Sequence, residues 1–303
     1  MVKIKITNLL KLPSQFVRCL NDNYSYKDKR YSITNIIGAS REMMLKRRFN
    51  THEEYTMDVA DSVNLLIGNS IHSMLENIPL EEGELVEKHY TAPFIVNGFI
   101  YTLSGILDYI NTVDEINVDY KTTAVYGVIY KSNYDKWQKQ LEYGSYLHWV
   151  NTGQWIGNGQ IICVIKDWKA NDKLRNPDYP ACPIVTVDFK LRDLREIRQE
   201  LQEKFNEIHD LEKMANDNLP LCSLEDRWNR GNGYAVMKGK AKRALKVHDN
   251  EDDAKQHATA MNFRDDKNKY TVDVRLGSDT KCLKYCGVNK FCEYYKKTYG
   301  GTE

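Results

Sequence analysis

The chain has 303 residues, 42% of them hydrophobic and 28% charged, with a formal net charge of +1. That is ordinary globular composition, enough for one large core or two modest domains, and it excludes a protein that grips nucleic acid by overall charge, so any such partner must be held by local basic patches. No apolar run approaches the roughly 18 residues that a membrane helix needs.

In chain order, MVKIKITNLLKLP reads as an alternating strand and turn. Its apolar run is broken by Asn8, Lys11 and Pro13, unlike that of a signal peptide. A cytoplasmic protein is therefore expected, and there seven cysteines point to metal, catalysis or burial rather than disulfides. Residues 31–50 predict a basic-ended helix capped by Ser32 or Thr34. Residues 58–77 space Val59, Val63, Leu66, Ile67, Ile71, Met74 and Leu75 as a helix does. Residues 84–110 predict a hairpin turning at Asn97-Gly98, and INVDYKT a third strand. A helix is expected over 135–149, strands over 160–168 and 183–189, and a long amphipathic helix over 191–216 with Leu194, Ile197, Leu201, Phe205, Ile208 and Leu211 on one stripe.

From Leu219 the character changes. YAVMKGKAKRALKV reads as a basic hairpin, DNEDDAKQHATAMNF as a capped helix and KYTVDVRLG as a strand, before a cysteine-bearing end. Ser223 to Glu303 carries 17 Lys and Arg against 12 Asp and Glu. The expected division is 1–218, a core with N-terminal helices, and 219–303, a basic unit. A solvated basic face is the plain alternative for the latter.

The chemistry concentrates in SGILDYINTVDEINVDYKTTA, residues 104–124. Residues two apart on a strand share a face, so Asp119 and Lys121 project together, and Asp108 on the neighbouring strand can meet them. Isolated carboxylates in a sheet are costly to bury, but they become reasonable around a divalent cation such as Mg²⁺, which takes oxygen ligands. A lysine there can orient a water or steady a phosphoryl charge. The bland alternative is a pair of strand-end aspartates with a surface lysine. Before these strands, His72 and Glu76 share a helix face, and the imidazole could complete a metal site or simply pack. After them, Gln140, Tyr143 and Tyr146 lie within two helical turns, as a packing face or as groups that hold a phosphate backbone or stack a base.

A helix with G-x-x-x-H, a strand with G-x-x-D, a strand with D-x-K and a helix with Q-L and tyrosines, taken in that order, resemble the PD-(D/E)XK nuclease superfamily. The closer likeness is to its RecB-like branch, which includes CRISPR-associated exonucleases and the nuclease domains of helicase–nucleases. The resemblance covers about residues 31–190. It implies a restriction-endonuclease-like α/β core, a mixed central sheet flanked by helices, that hydrolyses DNA with Mg²⁺ or Mn²⁺ and leaves a 5′-phosphate. His72, Asp108, Asp119 and the Tyr120 carbonyl would hold the metal, Lys121 would assist hydrolysis, and Gln140 would contact DNA. Where the family helix commonly reads Gln-x-x-x-Tyr, Tyr143 follows Gln140 by three and Gly144 takes the fourth place. Tyr143, with Lys238, Lys240, Lys242 and Arg243 of the basic segment, completes the candidate DNA contacts. Implied partners are DNA and a helicase, recombination or replication protein, with no membrane.

Cys282, Cys286 and Cys292 fall within eleven residues, which core packing explains poorly. A closed site needs a fourth ligand. Cys222 is the first candidate and Cys19 the second. Cysteine thiolates suit either a [4Fe–4S] cluster or Zn²⁺, and the resemblance favours the cluster, although Ala39-Ser40 stands where the family's first cysteine is expected. Cys163 is expected to be a buried strand residue and Cys182 to be unrelated to the metal. Such a centre would staple the C-terminal unit. The leading function is a metal-dependent DNA nuclease, more specifically an exonuclease. The competing class is a non-catalytic DNA-binding or adaptor protein on a nuclease-like fold stapled by zinc.

Overall fold

The computed structural model describes residues 5–20, 27–52 and 56–300; Met1–Ile4 of the expected first strand lie outside them. The chain divides into two units, Met1–Leu219 and Pro220–Glu303.

In the first unit the elements run β1 (Lys5–Thr7), α1 (Ser14–Cys19), β2 (Arg30–Ser32), α2 (Ile33–Ile37), α3 (Ser40–Phe49), β3 (Thr56–Asp58) and α4 (Val63–Leu75). They continue through β4 (Glu84–Val96), β5 (Phe99–Asn111), β6 (Ile116–Thr123), α5 (Val125–Ile129) and α6 (Tyr134–Thr152). The unit closes with β7 (Asn158–Ile165), α7 (Ala170–Lys173), β8 (Ile184–Lys190) and α8 (Leu194–Lys213). The central sheet is mixed, in the order β2-β5-β6-β7-β8 with β4 on β5, and helices flank it.

Strands β4 and β5 pair antiparallel from Glu84↔Asn111 to Val96↔Phe99. Asn97 and Gly98, at φ 49° and 81°, make the two-residue turn, the geometry whose twist suits a hairpin. On its other edge β5 is shared. Its first half pairs parallel with β2 as far as Ser32↔Ser104, and its end pairs antiparallel with β6 from Tyr109↔Val118. Gly105 to Asp108 lie between these two ladders, so the sheet forks there.

One face of the sheet is the core. Ala92, Phe94, Val96, Tyr101 and Leu103 are buried with Tyr31, against Leu201, Phe205 and Ile208 of α8. Phe205 stacks on Phe94 at 4.6 Å between ring centroids. The α8 stripe is thus the buried stripe, and the Asp193 side chain caps the helix by accepting from Arg195 N. Glu212 at its far end accepts from Tyr31 Oη at 2.6 Å and Tyr101 Oη at 2.7 Å and pairs with Lys29 at 3.1 Å, so this polar knot is satisfied where it meets the core.

One local expectation is corrected. Residues 31–50 are not one helix: Tyr31 and Ser32 are strand because β5 offers them an open edge, and the helical stretch breaks between Ile37 and Ser40. Ser32 does cap α2, accepting from Asn35 N at 3.2 Å. The helix expected over 58–77 forms as α4 from Val63 to Leu75, none of whose residues is buried, with Leu65 51% and Met74 64% exposed; Val59 precedes it and is buried.

The second unit holds an antiparallel sheet of β9 (Gly233–Lys238), β10 (Lys246–His248) and β11 (Tyr270–Arg275) in the order β10-β9-β11. Helix α9 (Glu251–Arg264), capped by the Asn250 side chain, packs on it, with Val236, Ala254, Ala258 and Tyr270 as the small core. The helices α10 (Thr280–Lys284) and α11 (Glu293–Tyr299) follow. Asp279, fully buried, gathers Arg227 at 3.0 Å, Asn229 at 2.6 Å and Tyr294 at 2.6 Å. No helix among the described residues is long and apolar enough to cross a membrane.

Candidate active site

The β5–β6 ladder stops at Tyr109↔Val118. Asp108 and Asp119 are the next facing pair, where the strands diverge. Asp108 Oδ2 fills part of the gap by accepting from Tyr120 N at 3.0 Å. Burial, and then the charge of Asp119, push the Asp108 carboxyl up to about 6, against the Tyr120 N–H, His72 and Lys121. The Asp119 charge thus penalises ionisation of Asp108, and a cation beside the pair would offset that penalty.

Asp119 is buried. Gln140 of α6 donates to its Oδ1 at 2.5 Å, and the Lys121 ammonium lies against its Oδ2 as an ion pair. That Oδ2 is nonetheless buried without an aligned hydrogen bond. His72 of α4 faces Asp108 and Tyr120, with Nδ1 3.4 Å from Asp108 Oδ2 and Nε2 3.1 Å from the Tyr120 carbonyl. Four separate elements, α4, β5, β6 and α6, therefore bring His72, Asp108, Asp119, Tyr120, Lys121 and Gln140 together.

Glu87 is a residue the sequence did not mark. It stands opposite Asp108 in β4, where the β4–β5 ladder skips one pair and the backbone takes φ 49°. One ligand atom each from His72, Glu87 and Asp108 lies within 4.8 Å of the others. Burial, then the charge of Glu76, raises the Glu87 pKa. The missed signal was the hairpin register itself, since a turn at Asn97-Gly98 sets Glu87 across from Asp108.

The glycine of G-x-x-D has a packing reason. A Cβ on Gly105 would come within 2.6 Å of Ile33 and 3.0 Å of Leu147, so α2 and α6 close on bare backbone at the fork. Beside it a cavity of about 430 Å³ is lined by Asp108, Asp119 and Gln140 and also by Lys27, Arg30 and His89.

Tyr143 is not brought to this cleft. It is buried, and its hydroxyl donates to Glu200 of α8 at 2.9 Å, while a Cβ on Gly144 already meets Asn117 at 3.0 Å. In the second unit Lys238 pairs with Asp265 at 3.5 Å, and Lys240, Lys242 and Arg243 stand exposed in the turn between β9 and β10. Burial, followed by Cys286, Asp279, Cys222 and Cys292, pushes the Cys282 thiol up to about 12, so the four cysteines lie within electrostatic reach of one another. Cys19 is exposed at the end of α1 in the first unit, Cys182 is exposed, and Cys163 is a buried strand residue whose thiol burial pushes up to about 11.

No family model matches the chain, and no curated protein matches it. Among solved structures, that of SSO0001 is 14% identical, with a TM-score of 0.43, over 63% of this chain and 81% of its own. A phage-related exonuclease from Haemophilus somnus 129PT is 14% identical, with a TM-score of 0.31, over 59% of this chain and 91% of its own. These are distant likenesses, and the reading of the site rests on its residues.

Proposed function

We propose that the first unit is a divalent-cation-dependent DNA nuclease of the PD-(D/E)XK type, acting from DNA ends. The observation that carries this reading is the pair Asp108 and Asp119 at the point where β5 and β6 diverge, with Lys121 on the same face and a cavity alongside. The donor set fits Mg²⁺ or Mn²⁺: the two carboxylates, the Tyr120 carbonyl and the His72 imidazole, with Glu87 within reach. The buried Asp119 Oδ2, which has no aligned hydrogen bond, is an acceptor such an ion would satisfy. When bound, the cation supplies Lewis-acid polarisation of the phosphoryl group and a more acidic attacking water.

The chain's own residues do the rest. Gln140 fixes Asp119 by holding Oδ1, while Oδ2 lies against the Lys121 ammonium. The Tyr120 N–H fixes Asp108 in the same way. Lys121 places its positive charge beside Asp119, where it can steady the non-bridging oxygens of a phosphodiester as charge develops. Time courses on end-labelled and circular DNA, single- and double-stranded, with Mg²⁺, Mn²⁺ or EDTA, test the reading. Cation-dependent loss of linear DNA with circles spared is expected; no cleavage under any cation would overturn it.

For the second unit the reading is a [4Fe–4S] cluster, with Zn²⁺ the alternative, on Cys222, Cys282, Cys286 and Cys292. The mutual effect of the four thiols supports it, and a four-thiolate set suits both centres. The exposed Lys240, Lys242 and Arg243 are read as phosphate contacts.

A further inference from the structure

The cavity beside the fork has a wall that the proposed hydrolysis does not use. Strand alternation builds it. In β2, Tyr31 points into the core at 0% exposure, so Arg30 and Ser32 face the other way and line the cavity. Lys29 is drawn off to Glu212, and Lys27 and Arg30 remain as the cations of this wall. His89 of β4, opposite Ile106 in the hairpin register, joins them, with its Nε2 2.6 Å from Arg30 Nη2.

The wall is held from behind. Arg47 of α3 donates to the carbonyls of Arg30 and Lys27, both at 2.9 Å, and its guanidinium sits 3.9 Å over the Tyr31 ring. Both cation-bearing residues are thus anchored at their backbone, which lowers the ordering cost of binding. Asp108 and Asp119 line the same cavity. A cavity of about 430 Å³ is at the small end of ligand sites, which run from roughly 300 to 1,000 Å³. It has room for one nucleotide unit and not for a run of several.

We propose that Lys27, Arg30 and His89 form a seat for a terminal phosphate of a nucleic-acid strand, one nucleotide from the bond presented to Asp108 and Asp119. The proposal rests on the nuclease reading and gives it a substrate class, strands that end in a phosphomonoester. A phosphomonoester carries close to two negative charges at neutral pH where an internal diester carries one. An arginine fork with a lysine and an imidazole beside it matches the doubly charged group. The Ser32 and Thr34 hydroxyls, which also line the cavity, are further donors.

The test uses the full-length protein and three otherwise identical oligonucleotides, ending in a 5′-phosphate, in a 3′-phosphate, or in hydroxyls only. With Mn²⁺, kcat/KM on one phosphorylated end should exceed that on hydroxyl ends about tenfold or more, the scale of a charge-assisted contact, and which end is preferred identifies the source of the phosphate. Arg30→Gln should bring that ratio close to one, and Lys27→Gln should lower it, each checked for an unchanged melting temperature. Cleavage with equal rates on all three would overturn the seat while leaving the nuclease reading intact. If no oligonucleotide is cleaved, binding in EDTA decides: a preference for one phosphorylated end that Arg30→Gln abolishes keeps the seat and removes the nuclease, and no preference removes the seat.

Discussion

The fork in the first unit and the cysteines in the second are built on opposite terms. At the fork, the core made by β4, β5 and α8 exists apart from the site, and protein donors already fix the carboxylates: the Tyr120 N–H on Asp108, Gln140 and Lys121 on Asp119. The second unit has a small core, Val236, Ala254, Ala258 and Tyr270, and its cysteines fall outside it. A small unit commonly needs a staple to fold. A metal at the fork would thus serve chemistry, and a centre on the four thiols would serve folding.

The largest effect that could break this contrast is in the second unit. Cys286→Ser, or chelation, should release the proposed centre and speed amide hydrogen exchange across β9–β11 and α9, because for such sites binding energy is folding energy. Strands β4–β6 should stay protected. Undisturbed exchange in the second unit, with its centre gone, would remove the staple from the account.

A smaller effect sharpens the first half. Gly105→Ala pushes a methyl against Ile33 and Leu147 and should cost about 1–3 kcal/mol, as overpacking of a core does, read as a lower denaturant midpoint with an unchanged slope. A neutral result would mean that α2 and α6 do not close on the fork as described.

The smallest effect has the opposite sign. The Asp108 carboxyl is held up at about 6 by burial and by Asp119, so its ionised form costs stability at pH 7.5, above that value. Asp108→Asn in EDTA should therefore raise the melting temperature by about 1–3 °C. A marked fall would show that Asp108 serves the fold.

Much of the frame was legible because it depends on local pattern. Asn97-Gly98 set the hairpin, a period of two put Asp119 and Lys121 on one face, and the α8 stripe marked the core. What was not legible depends on what lies opposite. Glu87 has no motif, and only the hairpin register and a skipped pair bring it to Asp108. Arg30 and Ser32 border a stretch with helical spacing and become strand only because β5 has a free edge. In α4 the apolar spacing gave the helix, but spacing does not say what covers it. Tyr143 shares α6 with Gln140, yet it turns to Glu200 of α8, a partner 57 residues away.

The central claim, that Asp108 and Asp119 form a cation-dependent hydrolytic site, is tested most directly by the turnover of Asp119→Ala on linear DNA across a Mn²⁺ titration, beside the wild-type protein. Lewis-acid assistance is worth several kcal/mol, so a loss of about 10³-fold or more is expected, not recovered at high Mn²⁺, in a variant that still folds. Near-normal turnover by the folded variant would contradict the account.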